Sequence, residues 1–154
     1  MKTNELASFF GGNKQRIHQQ QIIVIDDDRF FNQIASLLIK KVDPDAKVRT
    51  FEDPAAALRF LGSHNADIND NCLVFVDIYM PDMSGWKVVN KMAELPEEIL
   101  KRLRIYMLSA SCSQEDAEQA NNHPLVSGYY AKPLTTETIR GIIKVVSQNL
   151  KIAV

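Results

Sequence analysis

The chain of 154 residues is 45% hydrophobic, enough for one domain with one core and too little for a second folded unit of ordinary size. Its 18 basic and 19 acidic side chains give a formal net charge of -1, which excludes a surface built to coat nucleic acid or an anionic membrane. No run approaches the roughly 18 apolar residues of a membrane span, and Cys72 and Cys112 have no C-x-x-C or Cys/His spacing, which argues against a zinc site or disulfide framework and for a reducing cytoplasm.

Met1 to Gln21 lacks the apolar segment of about 7 to 15 residues found in a secretion signal. Residues 1–20 read as a polar, flexible extension to which no function is assigned. The first strand is expected over Ile22 to Ile25, running into Asp26-Asp27-Asp28. Phe30, Ile34, Leu37, Leu38 and Lys41 then fall at helical spacing, with Asp28 a candidate N-cap. A second strand, Lys47 to Phe51, is followed by a helix with Asp53 as N-cap and Pro54 at its first position. After the polar connection Gly62 to Asn71, the apolar run Leu73 to Val76 predicts a third strand that meets a lone carboxylate, Asp77. A helix is expected over Ser84 to Ala93, and an extra helical turn after Pro96 within Glu94 to Arg104. The fourth strand, Ile105 to Leu108, runs into Ser109-Ala110, and Ser113 to Asn122 can form a helix. The fifth, Val126 to Tyr130, is followed within two residues by Lys132-Pro133, and Ile139, Ile142, Ile143, Val146 and Leu150 make one face of a last helix. The count is (βα)5. Right-handed crossovers then give an α/β doubly wound, five-stranded parallel sheet.

Ligands on such sheets bind at the carboxyl ends of the strands, where this chain concentrates its polar chemistry. Asp26, Asp27 and Asp77 would crowd one pocket if the first strand lies between the third and fourth strands or beside them. Two like charges about 4 Å apart repel by roughly 4 kcal/mol at an effective dielectric near 20. The cluster therefore needs a counter-ion, which Lys132 and a divalent cation can supply; an oxygen-only donor set suits Mg²⁺. Taken singly, an Asp after a strand is often a helix cap, and a Ser or Lys is often a surface residue. The inference rests on their conjunction at one sheet edge.

Four stretches in order, IVIDDD (Ile23 to Asp28), FVDIYMPDMSGW (Phe75 to Trp86), MLSAS (Met107 to Ser111) and YYAKPL (Tyr129 to Leu134), resemble the receiver domain of two-component response regulators, including the stand-alone chemotaxis type. The resemblance covers residues 21–150 and implies a flavodoxin-like receiver domain with no output domain, located in the cytoplasm. It implies that Asp77 accepts a phosphoryl group from a phosphohistidine. Asp26, Asp27, Asp77 and the backbone carbonyl of Tyr79 would hold Mg²⁺, while Ser109 and Lys132 would meet the phosphoryl oxygens. Ser109 and Tyr129 would form the switch, changing the surface of the fourth helix, fifth strand and fifth helix for partner binding, with Ser113 to Asn122 the moving part. Tyr130 should face away from Tyr129.

The resemblance further implies a cis Lys132-Pro133 bond and assigns Tyr79 and Ser111, which flank the site, to tuning the hydrolysis rate. Gly85 would allow a close backbone approach, Ser84 would cap the third helix, and Asp82 would be solvated. Phe30, Phe31 and Pro133 are expected near the surface that docks histidine-bearing helices, with one Phe in the core and one toward the partner. The expected partners are a sensor histidine kinase or histidine phosphotransfer protein, and an effector that the sequence does not name; direct nucleic-acid binding and membrane insertion are not expected. His18, His64 and His123 supply no donor in cis. A relay shuttle is the alternative function. An aspartate-nucleophile phosphatase is disfavoured, because the position of its second Asp is Tyr79.

Overall fold

Aliphatic runs build the strands, and a short polar side chain starts most of the helices between them. The computed structural model describes residues 19–152 except 65 and 112. Most of the expected N-terminal extension, including His18, and Cys112 lie outside the described residues. In chain order the elements are β1 (Gln21–Ile25), α1 (Arg29–Val42), β2 (Lys47–Phe51), α2 (Pro54–Leu61), β3 (Cys72–Asp77), α3 (Gly85–Met92), α4 (Glu97–Leu100), β4 (Leu103–Ser109), α5 (Gln114–Asn122), β5 (Val126–Ala131) and α6 (Thr136–Ile152). The short α4 is the turn expected after Pro96, so the expected fourth and fifth helices are α5 and α6. Asp77 and Ser109 are the last residues of β3 and β4, not the first residues of loops. The ladder extends past the apolar runs because Asp77 still pairs with Leu108, and Ser109 with Ala131.

Four helices begin on side-chain caps. Asp28 accepts from the amides of Phe30 and Phe31, Asp53 from Ala55, Ser84 from Lys87 and Ser113 from Asp116. Each such cap stabilises its helix by about 1 kcal/mol and fixes where the preceding loop must end.

The five strands pair in parallel in the order β2-β1-β3-β4-β5. This flavodoxin-like order reverses direction between β1 and β3, which opens a crevice at their carboxyl ends. Alternate residues of the central strands feed two cores. Ile23, Ile25, Val74 and Val76 pack with α2 and α3, while Ile22, Val24, Leu73 and Phe75 pack with α1 and α6. The expected burial of continuous apolar strands on both faces holds for β1 and β3, and for β4 at all but Arg104; edge strands β2 and β5 are partly exposed.

The buried face of α1 differs from the expected stripe. Phe30, Ile34 and Leu37 are exposed, whereas Asn32, Ala35 and Ile39 are buried and Phe31, Leu38 and Val42 pack at the margin. Apolar residues surround most of this helix, so periodicity permits either face. The buried face is the one that carries a polar bond, in which Asn32 Nδ2 donates to the Asp26 carbonyl at 2.8 Å.

Candidate functional site

β1 delivers Asp26 to the sheet edge with every backbone group engaged. Its amide donates to the Phe51 carbonyl at 3.0 Å, and its carbonyl accepts from Asn32. The fully buried carboxylate accepts from the Asp28 amide at 2.9 Å through Oδ1 and forms an ion pair with Lys132 through Oδ2. Asp27, next in the chain, is exposed at the rim.

β3 delivers Asp77, also buried, and Lys132 Nζ lies 3.3 Å from its Oδ1. Carboxylate oxygens of Asp26, Asp27 and Asp77 all lie within 4.8 Å of one another. Gly85 lets α3 start beneath this point: its amide donates to the Ile78 carbonyl at 2.8 Å, and a Cβ there would collide with the Asp77 carbonyl. Burial raises the Asp26 and Asp77 carboxyls above their ordinary value of 3.8. For Asp26 the bond to Lys132 partly offsets that rise, while for Asp77 the charge of Asp26 adds to it.

Lys132 reaches the pair from the far side of β4. Its amide donates to the Ser109 carbonyl at 2.8 Å, the Lys132-Pro133 bond is cis as expected, and Leu134 anchors the turn in the core. The ammonium also sits 4.2 Å above the Phe31 ring, a cation–π contact that shields the site from one side. Phe31 therefore belongs to the pocket wall and the core margin, while Phe30 is 75% exposed and Pro133 is exposed. Of the anticipated split, Phe31 takes the packed side and Phe30 is left exposed.

A second set of groups closes the β4 and β5 side. Ser109 Oγ is buried and donates to the Ser111 carbonyl at 2.7 Å, while the Ser111 amide donates back to it at 3.1 Å. Tyr129 OH donates to the same carbonyl at 2.9 Å, so both expected switch residues converge on Ser111. Tyr129 packs toward α3, and Tyr130 toward α6, as alternation requires. Tyr79 reaches out from the loop after β3, and its hydroxyl donates to Asp116 Oδ2 at 2.6 Å. Trp86 Nε1 donates to the other oxygen of that carboxylate at 3.1 Å.

Sequence reasoning missed Asp116. Three residues after Ser113, it looks like an ordinary first-turn acid of a capped helix, and no local pattern links it to Tyr79, 37 positions earlier. Asp82 is exposed, as expected. Of the histidines not expected to act as a donor in cis, His64 lies in the connection after α2, and His123 is the C-cap of α5.

The donor set fits a hard divalent cation. Three carboxylates meet with no sulfur or imidazole among them, and one lysine is the sole ion-pair partner recorded for Asp26 and Asp77 among the described residues. No helix of the described residues is long and apolar enough to cross a membrane.

Residues 22–144 match the family described as the response regulator receiver domain. The chain is 28% identical over 130 residues to hybrid signal transduction histidine kinase L of Dictyostelium discoideum, a match covering 84% of this chain and 7% of that protein. It is 28% identical to response regulator protein TmoT of Ectopseudomonas mendocina over 85% of this chain and 55% of the relative. The chain thus spans a small part of the first protein and about half of the second. Among solved structures, a response regulator receiver protein from Dyadobacter fermentans superposes with a TM-score of 0.74 at 28% identity, covering 82% of this chain and 97% of that one.

Proposed function

Because the chain belongs to the response regulator receiver domain family, we propose that Asp77 is its phosphoacceptor and that the pocket converts phosphotransfer into a surface change. The observation that carries this reading is the meeting of Asp26, Asp27 and Asp77 with Lys132 at one sheet edge. Asp77 offers a carboxylate oxygen to the phosphorus of a phosphohistidine. The new O–P bond forms as the N–P bond breaks, and the departing imidazole takes up a proton. Lys132, already paired with Asp77, follows the growing negative charge on the phosphoryl oxygens. Asp26, Asp27, Asp77 and the Tyr79 carbonyl would hold Mg²⁺, which supplies further neutralisation of that charge when bound.

Ser109 responds after transfer. Its hydroxyl leaves the Ser111 carbonyl for a phosphoryl oxygen, drawing its loop inward and freeing the carbonyl that Tyr129 shares. The surface of α5, β5 and α6 is the expected readout. Tyr79 and Ser111 flank the acceptor and set water access. The phosphoryl donor is a sensor histidine kinase or a histidine phosphotransfer protein, and the protein acts as a signalling acceptor in place of turning over an external substrate.

A second reading, a shuttle that hands the phosphoryl group to another histidine, is favoured by the exposed apolar stripe of Phe30, Ile34 and Leu37 on α1, beside the pocket. One experiment addresses both. Incubation with acetyl phosphate and Mg²⁺ should add one acid-stable, base-labile phosphoryl group to wild type and none to Asp77→Asn. Equal labelling of both proteins, or none of either, overturns the acceptor role. Chasing the label with a histidine phosphotransfer domain then tests the shuttle, which requires the label to appear on its histidine.

A further inference from the structure

Asp116 is 7% exposed, yet no basic side chain is paired with it among the described residues. A carboxylate taken out of water needs compensation, and here it comes from two neutral donors, Tyr79 OH and Trp86 Nε1, one on each oxygen. Helix capping does not account for this arrangement. The Asp116 amide already uses Ser113 Oγ, and the carboxylate turns away from the cap toward α3 and the loop after β3.

Asp116 belongs to α5, which meets α3 through side chains near both of its ends. α5 is tied to α3 at its far end as well, where the His123 ring lies 6.3 Å from that of Trp86 and its Nε2 meets Asn90 Oδ1 at 3.1 Å. The Tyr79 side chain, by contrast, is 58% exposed and sits on a loop, where a free ring would exchange rotamers within nanoseconds. Its bond to Asp116, at 2.6 Å, falls in the short range of charge-assisted O–H to carboxylate contacts, the stronger kind. That bond links the loop after β3, two residues past Asp77, to the first turn of α5.

We propose that Asp116, steadied by Trp86, is a positioning residue that holds Tyr79 along the mouth of the acceptor pocket and so lengthens the life of the phosphoryl group on Asp77. The proposal rests on the acceptor reading of Asp77. It also couples the pocket to α5: the segment between Ser109 and Ser113 leads directly into the helix that carries Asp116, so an inward move of Ser109 changes the hold on Tyr79.

Asp116→Asn keeps the shape of the side chain and removes its charge. In protein labelled with acetyl phosphate and Mg²⁺, this variant should lose its label on the order of tenfold faster than wild type, the effect of weakening one hydrogen bond to a charged group. Tyr79→Phe, which removes one hydroxyl from an exposed side chain, should speed the loss similarly. The double variant should be no faster than either single one, because both break the same bond. A general loosening of the fold would slow labelling as well, so the contrast between the rates of gain and loss separates positioning from mere support. Trp86 is the only tryptophan in the chain, and its fluorescence should shift in Asp116→Asn and, in wild type, on labelling. Normal label lifetime in Asp116→Asn, or effects of the two substitutions that multiply, overturns the proposal while leaving Asp77 as acceptor; absence of label on wild type Asp77 overturns both.

Discussion

At the carboxyl ends of β1 and β3 the chain places carboxylates, which the Lys132 ammonium reaches from just past β5, whereas β4 and β5 themselves contribute the hydroxyl groups of Ser109 and Tyr129. Asp26 and Asp77 are buried, desolvated and bridged by one ammonium. Breaking such an arrangement by removing one partner leaves uncompensated charge, which makes this half of the site rigid. Ser109 and Tyr129 instead share the Ser111 carbonyl through neutral hydrogen bonds, each contributing only about 0.5–1.5 kcal/mol net. A phosphoryl oxygen can outcompete bonds of that size. The charged half is thus suited to receiving the group, and the hydroxyl half to responding to it.

The largest test of this contrast removes the cation. Lys132→Ala should slow labelling of Asp77 by about 10²–10³, the usual effect of deleting one group that stabilises charge in a transition state. A fall of less than tenfold at saturating Mg²⁺ would show that the charged half works without its lysine.

A smaller effect is expected on stability. The folded Asp26 and Asp77 carboxyls bind protons to higher pH than the ordinary value of 3.8, because burial disfavours their charged forms. Across the window above 3.8 the folded state therefore holds more protons than the unfolded one, and stability from these groups declines as pH rises through their raised values. Asp26→Asn removes one such group. In metal-free buffer, its urea midpoint relative to wild type should climb as pH rises through that window, and the gain should shrink when Mg²⁺ is added to wild type. A relative midpoint that falls with rising pH would reverse the assignment of strain to the charged half.

The smallest effect belongs to the hydroxyl half. Ser109→Ala should cost only about 1–3 kcal/mol in chemical denaturation, since two neutral hydrogen bonds to Ser111 are lost at about 0.5–1.5 kcal/mol each. A loss above about 3 kcal/mol would mean that Ser109 is a structural pillar and not a movable contact.

Much of this contrast was legible in the residues themselves. Asp28, Asp53 and Ser84 are expected from the sequence to cap helices and each does so in the structure, where Ser113, expected only as the start of a helix, caps as well. The runs Ile22 to Ile25 and Leu73 to Val76 suffice to place buried strands, and the acids that follow them fall at the same edge. Other features left no local trace. The α1 stripe of Phe30, Ile34 and Leu37 fits helical spacing as well as the buried face does, and the buried face is the one that carries the bond from Asn32 to Asp26 and packs Ala35 and Ile39 into the core. Lys132 Nζ stacking on Phe31 joins residues a hundred positions apart.

The sequence by itself determined the alternation of strands and helices, the capped helix starts and the kinds of polar group at each strand end, because these depend on short-range periodicity and on side chains meeting their own backbone. Only the tertiary structure decided that β1 lies against β3, so that Asp26 and Asp77 share one lysine, and that Asp116 and Trp86 hold Tyr79. Such contacts depend on strand order and on side chains far apart in the chain meeting between neighbouring elements, and a carboxylate in a helix's first turn looks the same in a sequence whether it faces water or a tyrosine.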